Sequence, residues 1–514
     1  MRVRIKNRAS ISLFARHKTW LAVLLFLMFF AAGGIRLYNI QKPFVGLLPV
    51  REFRSAIIAR DIYYDLNSEK IPAWQREVAH ISREAEWSLE PPVLEWLTAV
   101  TFYFAGGEQL WIPRFYATLF WLVSGFIFWQ IARDLYGAET AVILTTYYLF
   151  VPIGIIASKS FQPDTLMMMF YMACLWAILR YDQNPTRRHL VWVMLASGLA
   201  LFIRPLCLFA IVGAFTALLV YRFLHGETRP LSHVVLFCAA LLLGLAYYAY
   251  GLLIADSLAG QAEITFQPHL LLRREFWQGW IYTELDAVTL VGVIAALCGL
   301  ALLNSPRLQW LLTGLWGSYV VFGLIFNYHI MTHNYYHLQL APTIALSAGP
   351  FVAFLWTHVQ GLSRPRWRTV WLGGVLAIFV LLASWQVIQQ GRWSPNFENQ
   401  ALATEIGEQV HHSTRTVYLS PYYGRPLEYL GLLSGAYWPR PDTQKLYLGP
   451  EVKWATVSER LAEIPFTPEY FIITDFREYT THHSDLRAYL RACSLVAQTE
   501  NYLIYEHCQT DIGQ

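Results

Sequence analysis

The stretch PVREFRSAIIARD, residues 49–61, carries five charged side chains directly after the first long apolar segment of the chain. At helical spacing, Phe53, Ala56 and Ile57 fall on one side of this stretch, and charged residues, among them Arg51 and Arg54, fall on another. The pattern predicts a helix that lies on a membrane surface. Its charges belong either to a solvated loop or to a polar active site at that surface.

The composition excludes an ordinary soluble protein. Of the 514 residues, 55% are hydrophobic and 14% are charged, whereas soluble proteins carry about 25% charged residues. The 20 Trp, 30 Tyr and 31 Phe add an aromatic excess of the kind found at bilayer interfaces. We therefore expect a polytopic helical membrane protein whose partner is the lipid bilayer and not a nucleic acid.

Apolar segments long enough to span a bilayer, about 20 residues, recur along the chain. The first could instead be a signal peptide, but no clean cleavage site follows AAGGIRLYN, so we expect an uncut span. Two of the eleven candidates, 165–180 and 189–203, are short. The candidates are 19–38, 114–133, 139–158, 165–180, 189–203, 205–222, 231–254, 287–304, 308–326, 340–357 and 370–388.

The positions of lysine and arginine predict the orientation of these spans. The N-terminus is basic, and so are the turns after the second, fourth, sixth, eighth and tenth candidates. All of them fall on the cytoplasmic side if the N-terminus is inside, so the C-terminus is expected outside. If the short apolar segment 91–107 crossed the membrane, every later basic turn would lie on the outer side. We therefore interpret this segment as interfacial or half-inserted.

Two larger outer regions follow from this topology. A first outer loop, about 39–113, belongs to a transmembrane domain over 1–389, and a soluble domain covers 390–514. In that tail, strand-length runs such as EYFIITDF and NYLIYE alternate with helical patterns, which predicts a small α/β domain.

Two cysteines of the tail test its placement. If SLVAQT and NYLIYE form a hairpin that turns at residues 500–501, Cys493 and Cys508 face each other. A disulfide there requires an oxidising compartment; two unpaired thiols are the alternative.

Polar side chains gather in the expected outer loops, where charge near the bilayer is costly unless it is paired or functional. Glu52, Glu90 and Asp164 are candidate general bases or metal ligands, although Asp164 also fits a helix start and Glu90 an ordinary loop. Arg51 and Arg54 suit a phosphate on a lipid tail. A divalent metal at Glu90 and Asp164 stays open, because no spacing motif demands one.

Several of these stretches together resemble a known family. REFRSAIIARD, EPPVLEWLTAVTFYFAG, Arg114, FQPDTLMMMFYM and NYYHLQLAPTIALSAG stand in the order and near the spacing of the motifs of GT-C glycosyltransferases. Over about 19–350 the chain resembles the branch of dolichyl-phosphate-mannose–protein mannosyltransferases and bacterial lipid A aminoarabinose transferases. Its tail resembles the periplasmic domain of bacterial members.

The resemblance implies a membrane bundle with an outer active site in a bacterial inner membrane. It implies inverting transfer of a sugar from a polyprenyl phosphate to a glycolipid, polysaccharide or protein on the periplasmic side. The family's acidic pair falls on Arg51-Glu52, so the first acid is replaced and the base is Glu52, Glu90 or Asp164. Pro91 stands where the aminoarabinose branch has lysine. The residues expected near the donor phosphate are Arg51, Arg54, Arg114, His333, Tyr335, Tyr336 and His337.

A transporter or lipid flippase is the main alternative. Transporters place polar sites near the bilayer midplane on broken helices, and Pro152 and Pro205 could mark such breaks. A non-catalytic scaffold or an O-antigen ligase-type enzyme is a third interpretation. The concentration of charge in the outer loops favours the transferase.

Overall fold

The computed structural model describes residues 18–41, 49–86, 89–255, 257–258, 265–362, 365–393, 400–439 and 456–508. These residues divide between two compact units. The first unit contains residues 1–40, 88–91 and 114–393, and the second contains residues 41–87, 92–113 and 394–514. Most of the first outer loop and the C-terminal region therefore belong to one unit. A domain boundary at 389–390, drawn along the sequence, stays a prediction.

The described residues are mainly helical. The helices are α1 (Lys18–Leu37), α2 (Pro49–Leu66), α3 (Ala73–Glu84), α4 (Val93–Ala105), α5 (Trp111–Tyr136), α6 (Ala138–Phe150), α7 (Pro152–Ser158), α8 (Asp164–Gln183), α9 (Arg187–Ile203), α10 (Leu208–Leu224), α11 (Leu231–Leu253), α12 (Arg274–Val288), α13 (Leu290–Ala301), α14 (Pro306–Ile325), α15 (Asn327–Thr332), α16 (Leu340–Leu362), α17 (Pro365–Trp393), α18 (Gln400–Gln409), α19 (Arg425–Gly431), α20 (Val457–Ala462), α21 (Phe476–His482) and α22 (Ser484–Leu490). Short 3-10 turns cover Pro205–Cys207, Pro268–Leu272, Asn334–His337 and Pro421–Gly424.

Every predicted span overlaps a helix of the first unit. Among the described residues, seven helices are long and apolar enough to cross a membrane, or up to nine if each of two bent pairs is one span. α8, with 20 residues, and α9, with 17 residues, fall outside that number, so the count of eleven stays a prediction. At 13 residues, α4 is too short to cross upright, as expected for the segment 91–107.

The predicted span 139–158 is bent and not straight. Its two helices, α6 and α7, meet at an angle of 57°. The break lies at Val151, whose φ of −59° and ψ of 137° are extended. Proline disfavours helical geometry in the residue before it, so Pro152 explains the break.

Four of the predicted basic turns meet at one end of the helical bundle. Arg180 lies 2.6 Å from the carboxylate of Asp134. Asp182, at the end of α8, forms ion pairs with Arg222 at 2.7 Å and with Arg307 at 2.5 Å. These turns follow the second, fourth, sixth and eighth predicted spans, so the contacts agree with the predicted alternation.

The second unit contains a five-stranded sheet with the order β2-β1-β3-β5-β4. The strands are β1 (Thr416–Leu419), β2 (Gly435–Tyr437), β3 (Tyr470–Ile473), β4 (Ser494–Gln498) and β5 (Leu503–Glu506). β2, β1 and β3 are parallel, and β5 is antiparallel to both β3 and β4. Both faces of the strands β1 and β3 are buried, with Tyr418 and Ile472 in one apolar cluster and Val417 and Phe471 in another. The predicted α/β tail is confirmed.

The terminal hairpin carries the predicted disulfide. Cys493 and Cys508 are bonded, with Cα atoms 4.4 Å apart. Near the turn, Gln498 pairs with Leu503 as predicted, but a bulge before Ala497 shifts the register by one residue. The disulfide therefore closes the hairpin beyond the bulge.

We expect the replacement Cys493→Ser to weaken this hairpin. The bond closes a loop with a sequence separation of 15, and a loop of that length is worth about 3 kcal/mol in the chain-entropy model. Hydrogen exchange of the β4 and β5 amides in the full-length protein should accelerate accordingly. Cys238→Ser, which alters an exposed free cysteine of the first unit, is the control, and unchanged exchange in Cys493→Ser would contradict the prediction.

Candidate active site

A buried arginine connects two of the predicted carboxylates in the first unit. Arg204 donates a hydrogen bond from Nη1 to Oδ1 of Asp164, and its Nε lies 3.4 Å from Oε1 of Glu90. The guanidinium also lies over the ring of Tyr335, 5.3 Å from the centroid. Glu90, Asp164 and Tyr335, which the sequence patterns selected separately, thus converge on one residue that those patterns did not select.

The backbone explains why Arg204 reaches this position. It lies between the end of α9 and the 3-10 turn Pro205–Cys207, with an extended φ of −163° and ψ of 124°, as expected before proline. The hydroxyl of Tyr248 donates to the carbonyls of Phe202 and Ile203, at 3.2 Å each. These bonds satisfy the end of α9 where the helical ladder stops.

Asp164 is more than a helix cap. It is the first residue of α8, and the N-cap position belongs to Pro163. Its side chain is 2% exposed and pairs with Arg204, and a helix N-terminus favours a negative charge. The second carboxylate oxygen, Oδ2, is buried and accepts no hydrogen bond within the described residues. An unsatisfied buried acceptor calls for an explanation, and a ligand hydroxyl is one.

The segment that contains the predicted phosphate contacts Tyr335, Tyr336 and His337 is held by stacked rings and a neutral histidine. Tyr336 stacks on His329 with ring centroids 4.8 Å apart and an interplanar angle of 4°. Nδ1 of His337 lies 2.7 Å from the hydroxyl of Tyr319, and Nε2 lies 2.9 Å from that of Thr283. Burial lowers the pKa of His337 to about 3, so the ring is uncharged at neutral pH and holds the loop together.

The other two predicted phosphate contacts of the first unit differ in exposure. Nη1 of the buried Arg114 donates to the carbonyl of Ile40 at 3.0 Å. His333 is partly exposed, and its Nδ1 lies 2.6 Å from the hydroxyl of Thr332. Their contact with a phosphate, like that of His337, stays a prediction.

The helix that contains Glu52 is covered by protein on its apolar side. Glu52 lies in the first turn of α2 and is fully buried, as are Phe53 and Ala56. Phe53 packs against Tyr429 of α19, with ring centroids 5.9 Å apart. The prediction that Phe53, Ala56 and Ile57 anchor α2 to the membrane is therefore wrong. Tyr429 of the C-terminal region is part of the protein surface that covers this side of α2.

An ion-pair network in the second unit joins the first loop to the C-terminal region. Glu86 lies 3.9 Å from Nε of Arg54 and 2.8 Å from Nη1 of Arg425. Arg425 also pairs with Glu428 at 2.7 Å. Arg54, predicted to contact phosphate, thus has a carboxylate 32 positions away in the chain as a neighbour, and Arg425 was not selected from the sequence at all.

A second bridge in the same unit repeats this pattern. Arg60 pairs with Glu108 at 3.0 Å and donates to the carbonyl of Tyr429. The hydroxyl of Tyr429 donates to Glu108 at 2.6 Å. Arg60 is one of the five charged residues of the stretch 49–61. It contacts Glu108 and the carbonyl of Tyr429, so it is not the charge of a solvated loop.

Comparison with known protein families gives a match over part of the chain. Residues 89–251, about a third of the chain, match the family model described as dolichyl-phosphate-mannose-protein mannosyltransferase. That segment contains Glu90, Asp164 and Arg204. Over residues 89–251 the chain is similar to that family. A comparison with curated protein sequences finds no match.

Solved structures share the fold of this chain. ArnT from Cupriavidus metallidurans in the apo state aligns with a TM-score of 0.59 and 16% identity, over 94% of this chain and 98% of ArnT. ArnT bound to undecaprenyl phosphate aligns with a TM-score of 0.57 and 16% identity, over 95% and 98%. The Archaeoglobus fulgidus oligosaccharyltransferase tethered with an acceptor peptide aligns with a TM-score of 0.52 and 11% identity, over 97% of this chain and 75% of that enzyme.

The arrangement around Arg204 does not fit a divalent metal. Glu90 and Asp164, the two predicted ligands, share the Arg204 guanidinium as their cation. Within the described ranges, no group of three or more His, Cys, Asp or Glu side chains could hold a metal ion.

One signal in the sequence pointed to Arg204. It separates two apolar segments, 189–203 and 205–222, and a charge within such a stretch is a candidate functional residue. Arg425 gave no comparable signal, because its partner Glu86 is far away in the chain.

The carboxyl of Glu86 makes the stability of the protein depend on pH. Burial raises its pKa from 4.5 to about 7, with Arg425 and Arg54 acting against burial and Glu428 adding to it. Between these pH values the folded state binds more protons than the unfolded state, so stability falls as pH rises. We expect the wild type to lose thermal stability relative to Glu86→Gln between pH 5 and pH 8.

A neighbouring glutamate provides the control for this effect. The side chain of Glu84 is 70% exposed. The melting temperature of Glu84→Gln should therefore follow the same pH profile as that of the wild type. Parallel profiles for the wild type and Glu86→Gln would show that Glu86 does not titrate in this range.

Proposed function

We propose that this chain is a glycosyltransferase that moves a sugar from a polyprenyl-phosphate donor to an extracytoplasmic acceptor, with inversion at the anomeric carbon. The family match over 89–251 supports the sugar transfer. The fold shared with ArnT bound to undecaprenyl phosphate supports the donor class, and the oligosaccharyltransferase tethered with an acceptor peptide supports an acceptor outside the membrane. The acceptor is a glycolipid, a polysaccharide or a protein.

The reaction breaks one bond and forms another at the same carbon. The acceptor oxygen attacks the anomeric carbon opposite the phosphate, the carbon–phosphate-oxygen bond breaks, and polyprenyl phosphate leaves with the electron pair. The acceptor proton passes to a carboxylate, and general-base help of this kind contributes about 10²–10⁴ in rate. Fixed cations stabilise the phosphate charge as it develops.

The observation that carries the proposal is the Asp164 carboxylate. One oxygen accepts from Arg204, and the other is buried without a hydrogen bond among the described residues. We assign Asp164 and Glu90 to substrate binding, held by Arg204, and assign proton acceptance to Glu52, which stands at the acidic position of the family motif. Arg51, Arg54, Arg114, His333, Tyr335, Tyr336 and His337 are proposed as contacts of the donor phosphate.

The position of Asp164 supports an outer site. Asp164 and Asp182 are 18 residues apart on α8, or about 27 Å at 1.5 Å per residue. Asp182 lies among the basic turns, which the positive-inside rule places in the cytoplasm. Asp164 then faces the periplasm in a bacterial inner membrane, and a polar site at a helix end fits a transferase better than a midplane transport site.

The test follows donor consumption in purified protein. A panel of polyprenyl-phosphate sugars is incubated with a broad acceptor extract, and released polyprenyl phosphate is measured by mass spectrometry. We expect Asp164→Asn to lower release by about 10²-fold or more. Asp182→Asn is the matched control, because it alters a buried aspartate of the same helix that two arginines hold.

Two results would overturn the proposal. Equal release by wild type and Asp164→Asn would remove Asp164 from the site. Failure of the wild type to consume any donor, while a solute or lipid crosses reconstituted vesicles, would favour the transporter.

A further inference from the structure

A cleft in the second unit has no part in the proposed transfer step. It lies among α3, the end of α18, the turn that leads into β1 and the residue before β3. Its volume is about 620 Å³, within the range of roughly 300–1,000 Å³ that is usual for ligand sites. A cleft of this size can accept a ligand larger than a single ion or water cluster.

An aromatic platform forms one wall of the cleft. Trp74 is 43% exposed and stacks on His412, with ring centroids 4.7 Å apart and an interplanar angle of 27°. Nδ1 of His412 lies 3.0 Å and 3.1 Å from the carbonyl oxygens of Gly431 and Leu432. The histidine is thus fixed, and the indole rests on a rigid support. A large rigid ring with an exposed surface suits the C–H face of a sugar.

The backbone under this platform is strained. His411 and His412 have φ values of 52° and 53°, in the left-handed region that non-glycine residues rarely adopt. Such strain persists only where the surrounding structure imposes it, and it concentrates at functional sites. Two consecutive residues in this conformation turn the chain between α18 and β1 at the edge of the cleft.

The polar groups of the cleft select among ligands. Glu469 pairs with Arg415 and accepts a hydrogen bond from the hydroxyl of Ser413 at 2.6 Å. Glu77 and Glu408 also line the cleft and are exposed. Carboxylates accept hydrogen bonds from sugar hydroxyls or ammonium groups. Three carboxylates against one arginine leave an excess of negative charge, which disfavours phosphorylated or acidic glycans.

We propose that this cleft is a carbohydrate subsite, which binds a neutral or amino-sugar segment of the acceptor glycan with Trp74 as its stacking platform. The inference rests on the proposed function, because that function supplies the reason for an acceptor glycan. It goes further by locating acceptor recognition in the second unit and by naming the class of sugar.

The test measures glycan binding by the full-length protein in a detergent without a sugar headgroup. The probe is an array of immobilised oligosaccharides with neutral, amino-sugar and phosphate- or uronate-bearing members. We expect retention on neutral or amino-sugar glycans, on the order of tenfold weaker in Trp74→Ala and largely restored in Trp74→Phe. Trp96→Ala is the matched control, since Trp96 is 48% exposed in the same unit.

A charge variant tests the selectivity. Glu408→Gln should weaken retention on amino-sugar glycans severalfold and leave neutral glycans unchanged. The subsite is refuted if the wild type binds no glycan, if Trp74→Ala binds as well as the wild type, or if acidic glycans bind best.

Donor consumption by the same preparations separates the two proposals. If the wild type consumes donor but its glycan binding does not depend on Trp74, only the subsite fails. If binding depends on Trp74 and no donor is consumed, the cleft stands as a carbohydrate site, and its acceptor role fails with the proposed function.

Discussion

Sugar transfer by Arg204→Gln is expected to fall by about 10²–10³ in kcat/KM, because the variant removes the cation shared by Asp164 and Glu90. The loss of one fixed charge-stabilising donor typically costs about 2.7–4 kcal/mol of transition-state stabilisation. Stability should fall as well, since removal of one partner of a buried ion pair costs about 3–5 kcal/mol. The measurements are single-turnover release of polyprenyl phosphate and thermal unfolding of the same sample.

A variant of a second ion-paired arginine distinguishes an effect on stability from an effect on the rate of sugar transfer. Arg222 pairs with Asp182 at 2.7 Å at the other end of α8, so Arg222→Gln should lose stability while its rate per folded molecule is retained. Arg204→Lys keeps the charge but not the planar fork, and we expect partial recovery. Wild-type turnover in Arg204→Gln, or an equal loss of turnover in Arg222→Gln, would show that Arg204 is not part of the site.

Glu52→Gln is the second variant with a large expected effect. The amide has the shape of the carboxylate but cannot accept the acceptor proton, so kcat should fall by about 10²–10⁴. Donor affinity should change little, because the proposed role of Glu52 concerns the acceptor. Rapid-mixing turnover, together with equilibrium binding of the donor, resolves the two quantities.

A neighbouring buried glutamate is the control for this variant. Glu95 accepts a hydrogen bond from the hydroxyl of Ser55 at 2.6 Å, in the same unit and with similar burial. Glu95→Gln should retain turnover when it is folded. Full activity in Glu52→Gln would move the role of base to Glu90 or Asp164.

Local sequence patterns predicted most of the fold. All eleven predicted spans coincide with helices, because a long apolar run must satisfy its backbone hydrogen bonds internally in lipid. The alternation of basic turns predicted that the ends near Asp134, Asp182 and Arg307 lie together, and the structure joins them. The hairpin that brings Cys493 and Cys508 together was predicted from two short apolar runs and the turn between them.

The candidate site was predicted only as separate pieces. Glu90, Asp164 and Tyr335 were selected one at a time, and their common partner Arg204 was not. Surface exposure of α2 was predicted from its periodicity, which is the same for a helix against lipid and a helix against protein. The packing of Phe53 on Tyr429 joins residues more than 370 positions apart, and nothing local to either residue indicates it.

The sequence by itself determined where the helices, the basic turns, the C-terminal strands and the disulfide lie, since each depends on the hydrophobicity, charge or spacing of residues that are near neighbours. The tertiary structure decided which charges meet. Arg204 holds Asp164 and Glu90, and Arg425 reaches Glu86, because the energy of an ion pair depends on distance in space and burial. Neither the distance between two charges nor their burial can be derived from the order of residues along the chain.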